Sequence, residues 1–144
     1  MKILRKVPMF GFLLVIIDIF ILLGKGEIMN NLLIKIKLMS GAMWFMSVGD
    51  LFVIIGLIFL FIEVLKSTRT SQAAIVDHIL STLVLILFLI EFIAVKGAGT
   101  STFFILALMS LFDVIAGFTV TITTARRDVT MDRDSGFVPP APHN

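Results

Sequence analysis

The 144-residue chain is too apolar for a soluble protein, because 58% of its residues are hydrophobic, its mean hydropathy is +1.09 and 15% are charged, against roughly 25% in soluble domains. It contains no cysteine, which excludes disulfides, thiolate metal sites and cysteine redox chemistry. The formal net charge of +2 comes from scattered residues, so nothing supports nucleic-acid binding.

The first predicted membrane span covers residues 8–24 and follows a basic N-terminus that imitates the start of a secretory signal peptide. Its apolar run ends at Leu23-Gly24-Lys25-Gly26, a poor cleavage site, and contains Asp18, which is unusual in a signal sequence. We therefore predict that the segment is retained as the shortest of the membrane helices.

Residues 25–42 form the longest predicted connection. Within it, Ile34-Lys35-Ile36-Lys37-Leu38 alternates with a period of two, whereas a helix would place Lys35 and Lys37 on nearly opposite sides. The segment is predicted to be a short strand or a poor amphipathic helix. In either form it lies on the membrane surface, caps the bundle or contacts a partner.

Three further spans are predicted at residues 43–65, 75–95 and 102–124, each near the ~20 residues that a helix needs to cross the hydrocarbon core. Their continuous hydrophobicity disfavours a β-barrel, and the short polar connections favour antiparallel neighbours. The predicted fold is an all-α integral membrane bundle of four antiparallel transmembrane helices over residues 1–127. Residues 128–144 are predicted to be a polar, disordered cytoplasmic tail.

Lysine and arginine residues set the predicted orientation. The side that holds both termini carries eight of them and the other side four, which places both termini in the cytoplasm. Arg126 and Arg127 fit this rule and are also candidates to bind anionic lipid headgroups. The size and layout resemble those of several small four-span bacterial proteins, which implies the inner (cytoplasmic) membrane of a bacterium.

Each predicted span carries a carboxylic acid: Asp18, Asp50, Glu91 and Asp113. An ionised group near the bilayer centre costs at least about 2.5–3.5 kcal/mol, so such acids usually face a protein interior or a water-filled cavity. A rise of 1.5 Å per residue puts all four in one slab of the outer half of the membrane. They are predicted to form a site for protons or small cations around the bundle axis.

Small and polar residues recur at helical spacing on the fourth span, as Ser110, Asp113, Gly117 and Thr121, and form one stripe. Ser110 and Thr121 are the predicted secondary ligands of the site. The same stripe also suits tight helix packing. The acids themselves have a structural alternative, because protonated or paired acids can hold helices or subunits together.

A second polar set, Glu63, Asp77 and His78, lies at the cytoplasmic ends of spans two and three and is a candidate metal site. Ordinary explanations compete with this one. Asp77 suits the first turn of a helix, and Glu63 with Lys66 has the spacing of a helical ion pair. His78 is equally a candidate proton donor.

Two functions follow from the sequence. The first is an oligomeric membrane protein that binds or conducts protons or small cations through its intramembrane carboxylates. The alternative is an accessory or assembly subunit of a larger membrane complex, with the outer connection and the tail as docking elements. No enzyme motif occurs, and no cofactor is predicted.

Overall fold

The computed structural model describes residues 8–67 and 72–134, with side chains described except at 72–75, 121 and 124–134. Four α-helices make up most of these residues: α1 (Met9–Leu22), α2 (Val48–Ser67), α3 (Gln72–Ala94) and α4 (Ser101–Asp134). A hairpin of two strands, β1 (Leu32–Lys37) and β2 (Met43–Ser47), joins α1 to α2. Short 3-10 helices at Gly26–Asn30 and Lys96–Ala98 lie in the connections.

Within the described ranges, three segments are long and apolar enough to cross a membrane: Val48–Ser67, Val76–Ala94 and Ser101–Val120. The helix α1 is apolar but has 14 residues, about 21 Å at 1.5 Å per residue. Large apolar side chains such as Leu57, Ile58 and Phe61 are exposed on α2. A helical surface this apolar indicates a membrane protein.

The core forms where α1 meets the other helices. Phe10, Leu13, Leu14 and Ile17 of α1 are at most 3% exposed and belong to one cluster with Phe88 of α3 and with Phe103 and Leu106 of α4. The rings of Phe88 and Phe103 meet edge to face with centroids 5.2 Å apart. The helix α1 is therefore a full member of the bundle despite its short length.

Two glycines allow α2 to approach α4 closely. A Cβ atom on Gly56 would lie 2.5 Å from Cδ2 of Leu106 and 3.1 Å from Sδ of Met109, and one on Gly49 would collide with Thr102. Gly49 and Gly56 are two turns apart, so they share one face of α2. Membrane helices commonly use small residues in this way, since packing and not the hydrophobic effect holds them together.

The connection between α1 and α2 is a β-hairpin, so of the two predicted forms of this segment the short strand is the one that occurs. β1 and β2 are antiparallel, with Ile36 opposite Trp44 and Lys37 opposite Met43. The turn at 38–42 is closed by hydrogen bonds of 2.9 Å from the N–H of Leu38 to the carbonyl of Ala42 and from the N–H of Gly41 to the carbonyl of Leu38.

The predicted boundaries differ most from the structure at the start of the second span and at the end of the fourth. The second span was predicted to begin at Met43, but residues 43–47 pair with β1 and the helix begins at Val48. The backbone of α4 is helical to Asp134, whereas disorder was predicted from residue 128. Residues 125–134 contain neither glycine nor proline, so no residue of this stretch breaks the helix. The rest of the predicted tail, 135–144, lies outside the described residues.

Candidate intramembrane acid sites

The four predicted acids occupy three separate places in the structure. Asp18 faces Glu91, Asp113 lies beside Ser81, and Asp50 lies where the hairpin joins α2. The rise per residue placed all four acids at one level, but Asp113 lies beside Ser81, ten residues from Glu91 on α3 and about 15 Å away at 1.5 Å per residue. The single ring of carboxylates around the bundle axis is therefore not formed.

Asp18 of α1 and Glu91 of α3 bring two carboxyl groups within hydrogen-bonding reach of each other. A Cβ atom on Gly11 would lie 3.4 Å from Cγ2 of Val84, which shows how near the two helices come. Each acid lies seven residues beyond that contact, on the same face of its own helix. Close packing at a glycine thus aligns the two carboxyl groups.

This pair has no basic partner in the described part of the chain, where neither carboxylate forms an ion pair. The Oε2 atom of Glu91 is buried and accepts no hydrogen bond from any described residue. Both side chains are half-buried. Two ionised carboxylates are both acceptors, so a contact between them requires a proton on one or a cation between them.

Asp113 of α4 lies in a second polar group nearer the other end of the bundle. Asp113 and Ser81 of α3 are each 7% exposed, and the two side chains lie close together. Glu63, His78 and Lys66 lie close enough to Asp113 to interact with it electrostatically. Unlike the Asp18–Glu91 pair, this group contains a lysine.

Glu63 has a structural role in that second group. Its Oε1 atom accepts hydrogen bonds from the N–H of Met9 at 2.7 Å and from Nζ of Lys66 at 3.2 Å. Met9 is the first residue of α1, and the first N–H groups of a helix have no partner within it. Glu63 therefore caps the N-terminus of α1 from a neighbouring helix.

His78 packs against α4. Its ring stacks on Phe118, with centroids 5.2 Å apart and planes 9° apart, and a Cβ atom on Gly117 would overlap the imidazole. No three His, Asp or Glu side chains among the described residues are placed to hold a metal ion. The candidate metal site at Glu63, Asp77 and His78 is thus not formed. Glu63 binds the start of α1, and His78 packs on α4. Asp77 and His78 are consecutive, so their side chains point about 100° apart on the helix.

Asp50 is exposed and serves the start of α2. Its Oδ2 atom accepts hydrogen bonds of 2.8 Å from both the N–H and the hydroxyl of Ser47, and its own N–H donates to the Ser47 hydroxyl at 3.1 Å. This reciprocal pattern is a capping box. The sequence contained the signal, since a serine followed three residues later by an acid before an apolar run is typical of a helix start.

Of the remaining candidate site residues, the structure describes the side chain of Ser110 but not those of Thr121, Arg126 and Arg127. Ser110 is 1% exposed, and its hydroxyl has no hydrogen-bond partner among the described residues. The side chains of Thr121, Arg126 and Arg127 lie outside the described part of the structure. The predicted roles of these three residues remain predictions.

An apolar layer separates the two acid sites. Ser81 and Glu91 are ten residues apart on α3, about 15 Å at 1.5 Å per residue. The buried positions of α3 between them are Leu85 and Phe88, and Phe88 packs with Leu106 of α4 in the core cluster. The Asp18–Glu91 pair and the Asp113 group are therefore two separate sites along the length of the bundle.

Comparison with known proteins adds no assignment, since no protein family, curated protein or solved structure matches the chain.

Proposed function

We propose that this is an integral membrane protein that binds protons or small cations between Asp18 and Glu91. The observation that carries the proposal is the contact of two half-buried carboxyl groups, from α1 and α3, without a basic partner in the described residues. Burying carboxyl groups in a membrane is expensive. A hydrogen bond between membrane helices contributes only about 0.6 kcal/mol on average, and serine or threonine would supply it at lower cost.

The proposed architecture has four antiparallel spans with both termini in the cytoplasm of a bacterial inner membrane. Support comes from the lysine and arginine distribution and from the burial of α1 within the core. A helix as short as α1 fits a bilayer that thins locally around it. In this arrangement the Asp18–Glu91 pair lies toward the outer surface and Asp113 further inside.

The separation of the two sites favours binding over open conduction. A proton or cation that passes from Asp18–Glu91 to Asp113 has to cross the layer of Leu85 and Phe88, which are buried. Transfer therefore needs water molecules or a movement of α3 against its neighbours. Asp113, which lies beside Ser81, is the proposed second site of such a transfer.

Flux through reconstituted liposomes tests the proposal. With an imposed pH or sodium gradient, Asp18→Asn and Glu91→Gln are expected to lose most of the flux, because an amide neither carries an exchangeable carboxyl proton nor neutralises a cation. Asp113→Asn is expected to reduce it as well. Asp50→Asn is the matched control, since that acid caps α2 outside both sites and asparagine also caps helices. Full flux in both Asp18→Asn and Glu91→Gln would contradict the proposal.

Infrared spectroscopy distinguishes a proton from a sodium ion as the ligand of Asp18 and Glu91. If a proton joins the carboxyl groups, the sodium-free protein shows a protonated carboxyl band at neutral pH that is absent from Asp18→Asn and Glu91→Gln. If sodium is the ligand, added sodium removes that band. A spectrum in which both acids are ionised with no cation bound is incompatible with the geometry of the pair.

An accessory or assembly subunit is the second proposal, favoured by the exposure of the pair. Asp18 and Glu91 are half-buried and not enclosed, so a basic side chain of another subunit can neutralise them. Native mass spectrometry of the complex purified in mild detergent distinguishes the proposals. A stoichiometric foreign subunit supports the accessory role, and a closed homo-oligomer supports the ion-binding role.

A further inference from the structure

The hairpin has two chemically different faces. Opposite residues of an antiparallel pair share a face, and neighbours along a strand alternate. The register therefore places Ile34, Ile36, Trp44 and Met46 on one face. The other face carries Lys35, Lys37, Met43 and Phe45. The first face is wholly apolar, and the second carries both lysines of β1.

Most of the apolar face is left exposed by the described part of the chain. Every residue of β1 is exposed, and so are Met43, Trp44 and Phe45 of β2. Met39, in the turn at the tip, is 108% exposed. A two-stranded hairpin is marginally stable at best in water unless its apolar face packs on something. Membrane lipid or another molecule therefore covers this face.

The base of the hairpin is fixed to the end of a membrane helix. β2 ends at Ser47 and α2 begins at Val48 without a linker. The N–H of Val48 donates to the carbonyl of Asn31 at 2.9 Å, and Ser47 is bound to Asp50. Because α2 is long and apolar enough to span the bilayer, its first turn lies at the membrane surface. The hairpin therefore starts at the level of the lipid headgroups.

The side chains match the chemistry of that level. Indole rings prefer the membrane–water interface, and lysine lays its apolar stem along hydrophobic groups while its ammonium stays in a polar region. The Nζ atom of Lys35 lies 5.5 Å from the centroid of the Phe45 ring, a cation–π contact on the lysine face. The ammonium groups of Lys35 and Lys37 complement lipid phosphates in charge.

We propose that the hairpin lies on the outer surface of the membrane and binds phospholipid. Its Ile34, Ile36 and Trp44 face enters the boundary between headgroups and acyl chains, and Lys35 and Lys37 pair with phosphates. An amphipathic element binds an interface in proportion to the apolar area that it buries and to its attraction for lipid charge. This inference does not depend on the acid sites.

Trp44 is the reporter, because the chain has one tryptophan and no tyrosine. The full-length protein is reconstituted in phosphatidylcholine vesicles with and without brominated acyl chains, and Trp44 fluorescence is followed with added acrylamide. The proposal predicts strong quenching by brominated lipid and weak quenching by acrylamide. Quenching by acrylamide alone would overturn it and place the hairpin in water. Protection from both quenchers would also overturn it and indicate a second copy or another protein on this face.

Matched variants on the two faces complete the test. Ile36→Asp puts a charge on the apolar face opposite Trp44, and Met43→Asp puts the same charge on the lysine face. Ile36→Asp is expected to lose most of the bromolipid quenching and to shift Trp44 emission to longer wavelength. Met43→Asp is expected to retain both signals. Equal loss in the two variants would contradict a bound orientation in which one face enters the lipid.

Discussion

At the scale of single residues, the contact between Gly117 and His78 gives a direct prediction. Gly117→Ala places a methyl group where the imidazole lies, so His78 has to leave its position on Phe118. Overpacking of this kind costs about 1–3 kcal/mol. Thermal unfolding of the purified protein in detergent is expected to show a lower midpoint. Gly99→Ala is the control, because its added Cβ meets no atom closer than the carbonyl oxygen of Lys96 at 3.7 Å.

Residue-scale prediction from the sequence succeeded where periodicity defines a face. Ser110, Asp113 and Gly117 were predicted to share one stripe of the fourth span, and all three are buried in the structure. For Asp50 the prediction overlooked a local signal, because its partner Ser47 lies three residues away at the start of the helix. The contact of Asp18 with Glu91 depends on how α1 and α3 are turned toward each other, which no spacing within one helix reveals.

At the scale of elements, two substitutions distinguish the capping of α1 by the Glu63 side chain from the effect of its negative charge. Glu63→Gln retains an oxygen for the N–H of Met9, whereas Glu63→Leu removes the acceptor of both Met9 and Lys66. Loss of a helix cap costs about 0.5–2 kcal/mol. Hydrogen exchange followed by mass spectrometry is expected to show faster exchange in the first turns of α1 for Glu63→Leu, with Glu63→Gln near wild type. Unchanged exchange in the leucine variant would mean that core packing alone holds this end of α1.

The hairpin shows why one strand was predictable and the other was not. β1 has an alternating pattern, which predicted a strand beside the alternative of a poor amphipathic helix. β2, Met43–Ser47, is continuous with the apolar run of the second span, so composition extended the helix over it. Its strand conformation comes from pairing with β1, a tertiary effect that overrides local sequence preference. The capping box at Ser47 and Asp50 marks the boundary between the two elements.

At the scale of the whole molecule, composition was sufficient to predict a helical membrane protein. Composition does not decide whether the short helix α1 crosses the membrane. Three segments of the described chain are long enough to span, and α1 has 14 residues. If α1 crosses, the N-terminus and the hairpin turn lie on opposite sides of the membrane. If α1 does not cross, both lie on the same side.

The absence of cysteine from the chain allows single cysteines to decide between these topologies. We expect a membrane-impermeant maleimide to label Ser40→Cys, in the turn at 38–42, on intact bacterial cells. Ile3→Cys and Ser135→Cys should react only after the membrane is permeabilised, if the proposed four spans place both termini inside. Labelling of Ile3→Cys on intact cells, with Ser135→Cys still protected, would contradict the packing of α1 along α2, in which the N–H of Met9 donates to Glu63 near the C-terminal end of α2 and Phe20 packs on Phe52 near its start.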